Sequence, residues 1–318
     1  LPRPIWRDLL VIGLMRLDPA PAGSTSSGRN ILDIAGLGIE LAKTLCPDFS
    51  AWPDSYQAFL NIRPDSTPAD SVFLHGADVE RPTDDTFTAT FAGGAWQAGQ
   101  ANGRTVFRFN ANDLPAYLWA EPNADYSRVT VWPDPVHGRP MPPLLHPVDR
   151  VLCMGVLTHR QRIMVHACGW KYQGQALLFP GVSGAGKTTI CNQLMASGHG
   201  VILSDDRMVL RQTADGLDAC GTPWPGDAKQ ARNESAPLRA LCFIEKAAEK
   251  RLTPIPPAEA LKRLFTTASV PWFVPTMRDL ALAVVEHLVA TIPAYRLDFR
   301  PTPAVADCLL PLLTASHK

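Results

Sequence analysis

The sequence predicts an α/β protein of two parts, a β-rich N-terminal unit at residues 1–140 and a larger unit at 141–318. Short runs of alternating apolar and polar residues fill positions 50–135, which is the pattern of half-buried strands. The segment 133–147 contains six prolines in fifteen residues and predicts a stiff connection between the units. From position 148 onward, apolar strands alternate with helical stretches, as in a sheet covered by helices.

The first element expected in the N-terminal unit is a helix over residues 31–45. Its apolar positions fall largely on helical spacing, and Cys46-Pro47 would end it. The preceding residues 20–29 are rich in Pro, Gly and Ser and predict a loop.

Three strands are expected next, at residues 86–91, 105–109 and 128–132, because their side chains alternate in polarity. Gly93-Gly94 and Asn102-Gly103 are typical of hairpin turns between such runs. The N-terminal unit is therefore predicted to be mostly antiparallel.

Composition and charge exclude several classes of protein. The chain is 46% hydrophobic and 19% charged, which is typical of a folded globular protein and not of a disordered one. Thirty Lys and Arg residues balance thirty Asp and Glu residues, so the net charge provides no attraction for nucleic acid or an acidic membrane. We therefore expect no nucleic-acid partner.

The start of the chain and the cysteines predict a cytoplasmic protein without a membrane partner. The apolar run at residues 9–15 is too short to span a bilayer and lacks the flanks of a secretory signal. The seven cysteines form neither a close pair nor an even set, so they are expected to be reduced thiols of the core.

The strongest motif lies in the second unit. Residues 176–180 are an apolar run, a glycine-rich loop follows, and residues 190–197 have a helical pattern. Loop and context match the Walker A motif G-x-x-x-x-G-K-[ST]. The predicted nucleotide-binding residues are Gly181, Val182, Ser183, Gly184, Ala185, Gly186, Lys187, Thr188 and Thr189.

This motif binds phosphate for physical reasons. Its glycines permit backbone angles that turn successive N–H groups inward, and the following helix points its positive end at the same place. Lys187 would reach the β- and γ-phosphates, and the Thr188 hydroxyl would bind Mg²⁺. The alternative is a glycine-rich turn that binds no ligand.

Two carboxylates, Asp205 and Asp206, follow the short apolar strand at 201–203. One helix and one strand separate Lys187 from Asp206, so both should face one crevice. One carboxylate can then hold Mg²⁺ while the other accepts the proton of an attacking hydroxyl. A solvated acidic turn is the alternative.

Weaker candidates surround this motif. His166, on an apolar strand before the loop, is either a functional group or a satisfied core histidine. Lys229 and Arg232 either stabilise a transferring phosphoryl group or lie in a solvated loop. Trp224 could line an acceptor pocket. Two further strands are expected, at residues 238–244 and 292–299.

Several of these segments together resemble a known family. His166, the loop GVSGAGKTT, the stretch SGHGVILSDDR and residues 220–227 are similar to the catalytic domain of HPr kinase/phosphorylase and its broader group of HPr-kinase-like proteins. Phosphoenolpyruvate carboxykinases share this P-loop core. The resemblance covers roughly residues 144–300, and it implies such a core beside the smaller β-rich N-terminal unit.

The resemblance also implies roles for single residues and an activity. The residues are His166 at the phosphates, Lys187 as phosphate ligand, Asp206 as proton acceptor, and Thr188, Asp205 and Asp227 at the metal. The implied activity is an ATP-dependent kinase with Mg²⁺ as cofactor, and the hexamers of HPr kinases imply a homo-oligomer.

The sequence departs from true HPr kinases in two places. Their glutamate-bearing signature after the double aspartate is not recognisable, and the N-terminal unit does not resemble theirs. We therefore expect the acceptor to be a hydroxyl on a peptide, another protein or a small molecule.

A non-catalytic ATP-binding sensor that docks a partner is the alternative function. A carboxykinase-like decarboxylase would need an arginine set that we cannot place.

Overall fold

A computed structural model describes residues 29–45, 52–63, 71–76, 80–110, 116–134 and 144–314. These ranges contain two large mixed β-sheets and a few helices, which confirms the predicted α/β class. The predicted loop before Arg29, most of the proline-rich connection, the boundary at 140/141 and Cys46-Pro47 lie outside the described residues.

The first sheet has nine strands in the order β3-β1-β2-β4-β9-β8-β7-β6-β5. The strands are β1 (Arg29–Ile34), β2 (Leu37–Leu41), β3 (Leu60–Arg63), β4 (Ser71–Gly76), β5 (Phe87–Ala92), β6 (Trp96–Ala101), β7 (Arg104–Asn110), β8 (Ala116–Pro122) and β9 (Arg128–Pro133), with a short helix α1 (Asp54–Gln57) before β3. Only β4 makes parallel pairs, with β2 and β9, so the expectation of a mostly antiparallel unit is confirmed. Both predicted hairpin turns are confirmed, but each joins an expected strand, β5 or β7, to β6, which was not among the expected strands.

The helix predicted over residues 31–45 is wrong, because β1 and β2 form a hairpin there. Ala35 and Gly36 have φ angles of 56° and 77° and make the turn, and Asp33 Oδ1 accepts a hydrogen bond from the Gly36 N–H at 3.0 Å. Neighbouring side chains such as Ile31 and Leu32 are both buried. Since apolar residues then occupy both faces of the hairpin, strict alternation is lost and the spacing imitates that of a helix.

The second sheet has the order β11-β10-β13-β14-β15-β17-β16, with β12 paired to β10. Its strands are β10 (Arg162–Tyr172), β11 (Gln175–Pro180), β12 (Val201–Ser204), β13 (Arg207–Thr213), β14 (Gly216–Cys220), β15 (Ser235–Lys246), β16 (Arg251–Pro254) and β17 (Ala294–Phe299). The long β15 pairs with β14 through its first residues and with β11 further along, so five strands form a closed cycle. The two late strands expected from sequence are confirmed as β15 and β17.

Five helices precede, separate or follow the strands of the second sheet along the described part of the chain. They are α2 (Val148–His159), α3 (Lys187–Ala196), α4 (Pro257–Phe265), α5 (Pro275–Thr291) and α6 (Val305–Thr314). The helix expected after the glycine-rich loop is thus confirmed as α3. None of the helices in the described ranges is long and apolar enough to cross a membrane.

One hydrophobic cluster contains residues of both sheets. Leu74 and Val131 of the first sheet belong to the same buried cluster as Val156 of α2 and Trp224. At another point of contact, the centroid of the Phe273 ring lies 5.4 Å from the ring centroid of Trp96 and 5.6 Å from that of Phe107. The N-terminal unit is therefore packed against the second unit through apolar side chains.

The described cysteines agree with the expectation of reduced thiols. None of the six is in a disulfide, and five are buried: Cys153, Cys168, Cys191, Cys220 and Cys242. Burial raises the pKa of Cys220 to about 12, which keeps this thiol protonated.

Candidate active site

Strand β10 brings the separate motifs together. It pairs with β11, which leads into the glycine-rich loop, and with β12 and β13, which flank the double aspartate. In this register Ala167 lies opposite Pro180, and His166 lies opposite Arg207. Loop, histidine and carboxylates therefore meet at one edge of the sheet.

The glycine-rich loop, residues 181–188, has a conformation that needs its glycines. The Gly181 N–H donates to the His166 carbonyl at 3.1 Å, and a Cβ on Gly181 would lie only 2.8 Å from the Ala185 Cβ. Gly186 precedes α3 with a φ angle of 103°, a region that side chains disfavour. The loop thus turns sharply into the N-terminus of a helix, as the motif predicts.

Lys187 is folded back over this loop. Its side chain is 7% exposed, and Nζ donates to the carbonyl oxygens of Gly181 at 2.8 Å and Val182 at 3.1 Å. Burial lowers the pKa of Lys187, and the neighbouring Asp206 carboxylate opposes that shift. An anion in the loop would replace two neutral carbonyl partners with a charged one, which favours phosphate.

The rest of the loop is open to a ligand. Val182, Ser183 and Gly184 are exposed, and Ala185, Gly186, Thr188 and Thr189 are half-buried. Thr188 lies in the first turn of α3, beside Lys187. The exposed loop, its N–H groups and Lys187 therefore fit a phosphate group, and Thr188 is the residue of this loop that would hold Mg²⁺.

Asp206 is the centre of a charged cluster. Its Oδ1 lies 2.8 Å from His166 Nε2 and 3.7 Å from Arg207 Nη1, and its Oδ2 lies 3.5 Å from Arg150 Nη1. Burial alone would raise the pKa of Asp206, but the hydrogen bond from His166 and the charges of Arg207 and Arg150 outweigh it and lower the pKa. Asp206 is consequently an ionised carboxylate at neutral pH.

His166 faces the site and not the core. Burial lowers the pKa of His166, and the positive charges of Arg207 and Lys187 add to that effect, while the hydrogen bond to Asp206 opposes it. The ring is therefore neutral at neutral pH, and the proton on Nε2 is the one donated to Asp206. The interpretation of His166 as a core residue does not fit this contact.

One protein family is similar to the part of the chain that contains this site. Residues 145–302 match the family model of the SynChlorMet cassette protein ScmC. The matched region, called the ScmC-like region below, contains the loop, His166 and Asp206, and it leaves the first sheet outside. No curated protein matches the chain.

The predicted metal ligand Asp205 accepts hydrogen bonds from a neighbouring loop. It lies in the ScmC-like region, is 2% exposed, and accepts backbone N–H groups of Gly226 at 2.9 Å, Ala228 at 2.7 Å and Gln230 at 3.0 Å. Because both oxygens accept backbone N–H groups, Asp205 holds the 224–230 loop in place, and its binding of a metal stays a prediction. The predicted metal ligand Asp227 is an exposed residue of that loop.

The metal-binding roles of Thr188, Asp205 and Asp227 stay predictions. Across the described ranges, no group of three or more His, Cys, Asp or Glu side chains could hold a metal ion on its own. A magnesium ion at this site would therefore depend on the phosphate oxygens of the nucleotide for most of its coordination.

The other weak candidates differ in burial. Trp224 is 2% exposed and donates its indole N–H to Asp149, so it belongs to the core and does not line an open pocket. Lys229 is exposed, and Arg232 is 45% exposed with its guanidinium 3.8 Å from Glu234. The solvated-loop interpretation fits both cations.

Sequence reasoning missed the two arginines at Asp206. Arg207 is its neighbour in sequence, which was a visible signal. Arg150 comes from the first turn of α2, directly after the proline-rich segment, and no local pattern connects it to Asp206.

We expect the lowered pKa of His166 to make folding sensitive to acid. Below its ordinary value of 6.5, the unfolded chain binds a proton at His166 more readily than the folded chain, so the free energy of unfolding falls as pH falls through that range. Urea unfolding at about pH 7.5 and about pH 5.5 should show a smaller loss of stability in His166→Gln than in the original protein. An equal loss in both proteins would contradict the shift.

Removing the Asp205 carboxylate should destabilise the 224–230 loop. In Asp205→Ala three backbone N–H groups lose their acceptor, and we expect a loss of about 1–3 kcal/mol in the free energy of unfolding. The matched control is Asp227→Ala, an exposed aspartate of the same loop, for which a change within about 0.5 kcal/mol is expected. Equal urea midpoints for the two variants would show that Asp205 does not hold the loop.

Proposed function

We propose that the protein is an ATP-dependent kinase, with a P-loop core of the HPr-kinase type, that transfers the γ-phosphoryl group to a hydroxyl. The observation that carries the proposal is the position of Asp206. An ionised carboxylate, held by His166 and two arginines, lies close enough to Lys187 of the glycine-rich loop to affect its pKa. This arrangement places a phosphate-binding lysine near a carboxylate that can accept the proton of the attacking hydroxyl, as kinases require.

The residues divide between binding and proton transfer. The N–H groups of residues 181–188 and the Lys187 ammonium would hold the phosphates, and Thr188 would hold Mg²⁺, which supplies positive charge at the phosphates. The acceptor oxygen forms a bond to the γ-phosphorus as the bond from that phosphorus to the bridging oxygen breaks. ADP leaves, and the hydroxyl proton passes to Asp206.

The lowered pKa of Asp206 makes it a weak base, and the proposed reaction tolerates this. Phosphoryl transfer proceeds through a loose transition state in which the hydroxyl keeps its proton until late. The carboxylate therefore orients the hydroxyl and accepts its proton late in the reaction, while Arg150, Arg207 and Lys187 compensate the negative charge of the phosphates.

The acceptor class follows from the resemblance and its departures. The HPr-recognition signature is not recognisable, and the first sheet lies outside the ScmC-like region. We therefore propose a hydroxyl on a peptide, on a protein other than HPr, or on a small molecule.

The test is transfer of labelled γ-phosphate from ATP by the purified protein. A cell extract is divided into small-molecule, peptide and protein fractions, and each is incubated with protein, Mg²⁺ and labelled ATP. We expect label in one class of acceptor, which identifies that class. Absence of label in every fraction, together with normal ATP binding, would overturn the kinase and favour the ATP-binding sensor.

A further inference from the structure

A buried carboxylate lies outside the cluster just described. Asp149, in the first turn of α2, is 0% exposed. Its Oδ2 accepts hydrogen bonds from the Tyr56 hydroxyl and, at 2.6 Å, from the Trp224 indole N–H. Its Oδ1 accepts from the Arg150 N–H at 2.7 Å. We call the side chains of Tyr56, Asp149 and Trp224 the Asp149 node.

The Asp149 node joins three distant parts of the chain. Tyr56 belongs to the N-terminal unit, 93 residues before Asp149, and Trp224 follows 75 residues after Asp149. Tyr56 and Trp224 also contact each other, with the indole N–H 3.1 Å from the hydroxyl oxygen. The node therefore fixes the N-terminal unit, α2 and the start of the 224–230 loop to a single point.

Packing alone does not explain a carboxylate at this point. Within the described residues, no Lys, Arg or His lies within ion-pair distance of Asp149, although Asp149 acts on the pKa of His146 through its charge, and its side-chain donors are the two neutral groups of the node. Apolar side chains of similar volume would fill such a position at less cost in desolvation. The carboxylate instead fixes the relative orientation of three segments, because it accepts a hydrogen bond from a donor in each of them.

The two outward connections of the node end at neighbouring residues, Asp206 and Asp205. Arg150, the residue after Asp149, places its guanidinium 3.5 Å from Asp206, and its Nε is buried without a hydrogen-bond partner in the described structure. The backbone of Arg150 is fixed by the start of α2, which carries Asp149 and Arg150 side by side. On the other side, Trp224 begins the loop whose N–H groups bind Asp205, the neighbour of Asp206.

We propose that the Asp149 node is a positioning device for Asp206. It holds Arg150 and the 224–230 loop at a fixed distance from that carboxylate, and the N-terminal unit completes the device through Tyr56. Asp149, Tyr56 and Trp224 are positioning residues that touch neither nucleotide nor acceptor. The effect on catalysis rests on the proposed function, whereas the effect on the loop does not.

Tyr56→Phe tests the node with the smallest change. The variant keeps the ring and removes only the hydroxyl that donates to Asp149. Its matched control is Tyr126→Phe, since Tyr126 also packs its ring between the N-terminal unit and α2, against Gly155. Tyr126 has no hydrogen bond from its hydroxyl to Asp149 in the described structure.

Two readouts are taken from each variant of the full chain. Hydrogen exchange of the Gly226, Ala228 and Gln230 amides should become about tenfold faster in Tyr56→Phe than in Tyr126→Phe, because weakening the node loosens the loop. The kcat for phosphoryl transfer should fall about tenfold with KM for ATP unchanged, because Arg150 no longer supports Asp206.

The outcomes separate this inference from the kinase proposal. Equal amide exchange in the two variants would overturn the node whether or not the protein transfers phosphate. If amide exchange is faster in Tyr56→Phe than in Tyr126→Phe but the original protein transfers no phosphate, the result would support the node and reject the kinase proposal. If Tyr56→Phe does not fold, Trp224→Phe, which removes the other donor to Asp149, decides by the same exchange measurement.

Discussion

Asp206→Asn is expected to lower the rate of phosphoryl transfer by a factor of about 10² to 10⁴, the usual contribution of a positioned acid–base group. The amide keeps the shape of the side chain and can still accept from His166, but it cannot take the hydroxyl proton. ATP affinity should be kept or slightly raised, because one negative charge near the phosphates is removed. Transfer is measured with labelled ATP and affinity by calorimetry.

The matched control for this variant is Asp279→Asn, which changes an aspartate whose side chain is 65% exposed on α5. It should leave both transfer and affinity at the original values. Transfer by Asp206→Asn at the original rate would reject Asp206 as the proton acceptor.

Lys187→Ala is expected to remove most of the affinity for ATP. The variant deletes a charged partner of the phosphates in a nearly buried position, and such deletions cost about 2–5 kcal/mol, a loss of roughly 30-fold to several thousand-fold in affinity. Titration calorimetry with Mg²⁺ and ATP measures this loss.

The matched control is Lys262→Ala, because Lys262 is exposed on α4. Thermal unfolding of both variants shows whether the chain remains folded without the lysine that bonds to the Gly181 and Val182 carbonyls. A folded Lys187→Ala that binds ATP as well as Lys262→Ala would show that the glycine-rich loop is not the nucleotide site.

The glycine-rich loop could be predicted from sequence because all of its determinants are local. Strand β11, the glycines, Lys187 and helix α3 follow one another within one segment, and their backbone requirements are specific to those residue types. The order of elements between Lys187 and Asp206, one helix and one strand, was also predicted, because residues 190–197 and 201–203 each have a local pattern.

The hairpin of β1 and β2 and the partners of Asp206 could not be predicted in the same way. Burial on both faces of the hairpin depends on what packs against it, and that information lies elsewhere in the chain. Tyr56 and Trp224 are 168 residues apart, and their contact arises only when the two units pack together. Asp149 and Arg150 therefore carry no local pattern that distinguishes them from ordinary charged residues of a helix.

The central claim is that residues 181–188 hold a triphosphate whose γ-phosphate faces Asp206. A crystal structure with Mg²⁺ and a non-hydrolysable ATP analogue tests this claim most directly. We predict phosphates inside the loop, Lys187 Nζ moved from the carbonyl oxygens of Gly181 and Val182 to the phosphates, and the γ-phosphate beside the Asp206 carboxylate. Phosphates outside the loop, or a γ-phosphate directed away from Asp206, would contradict it.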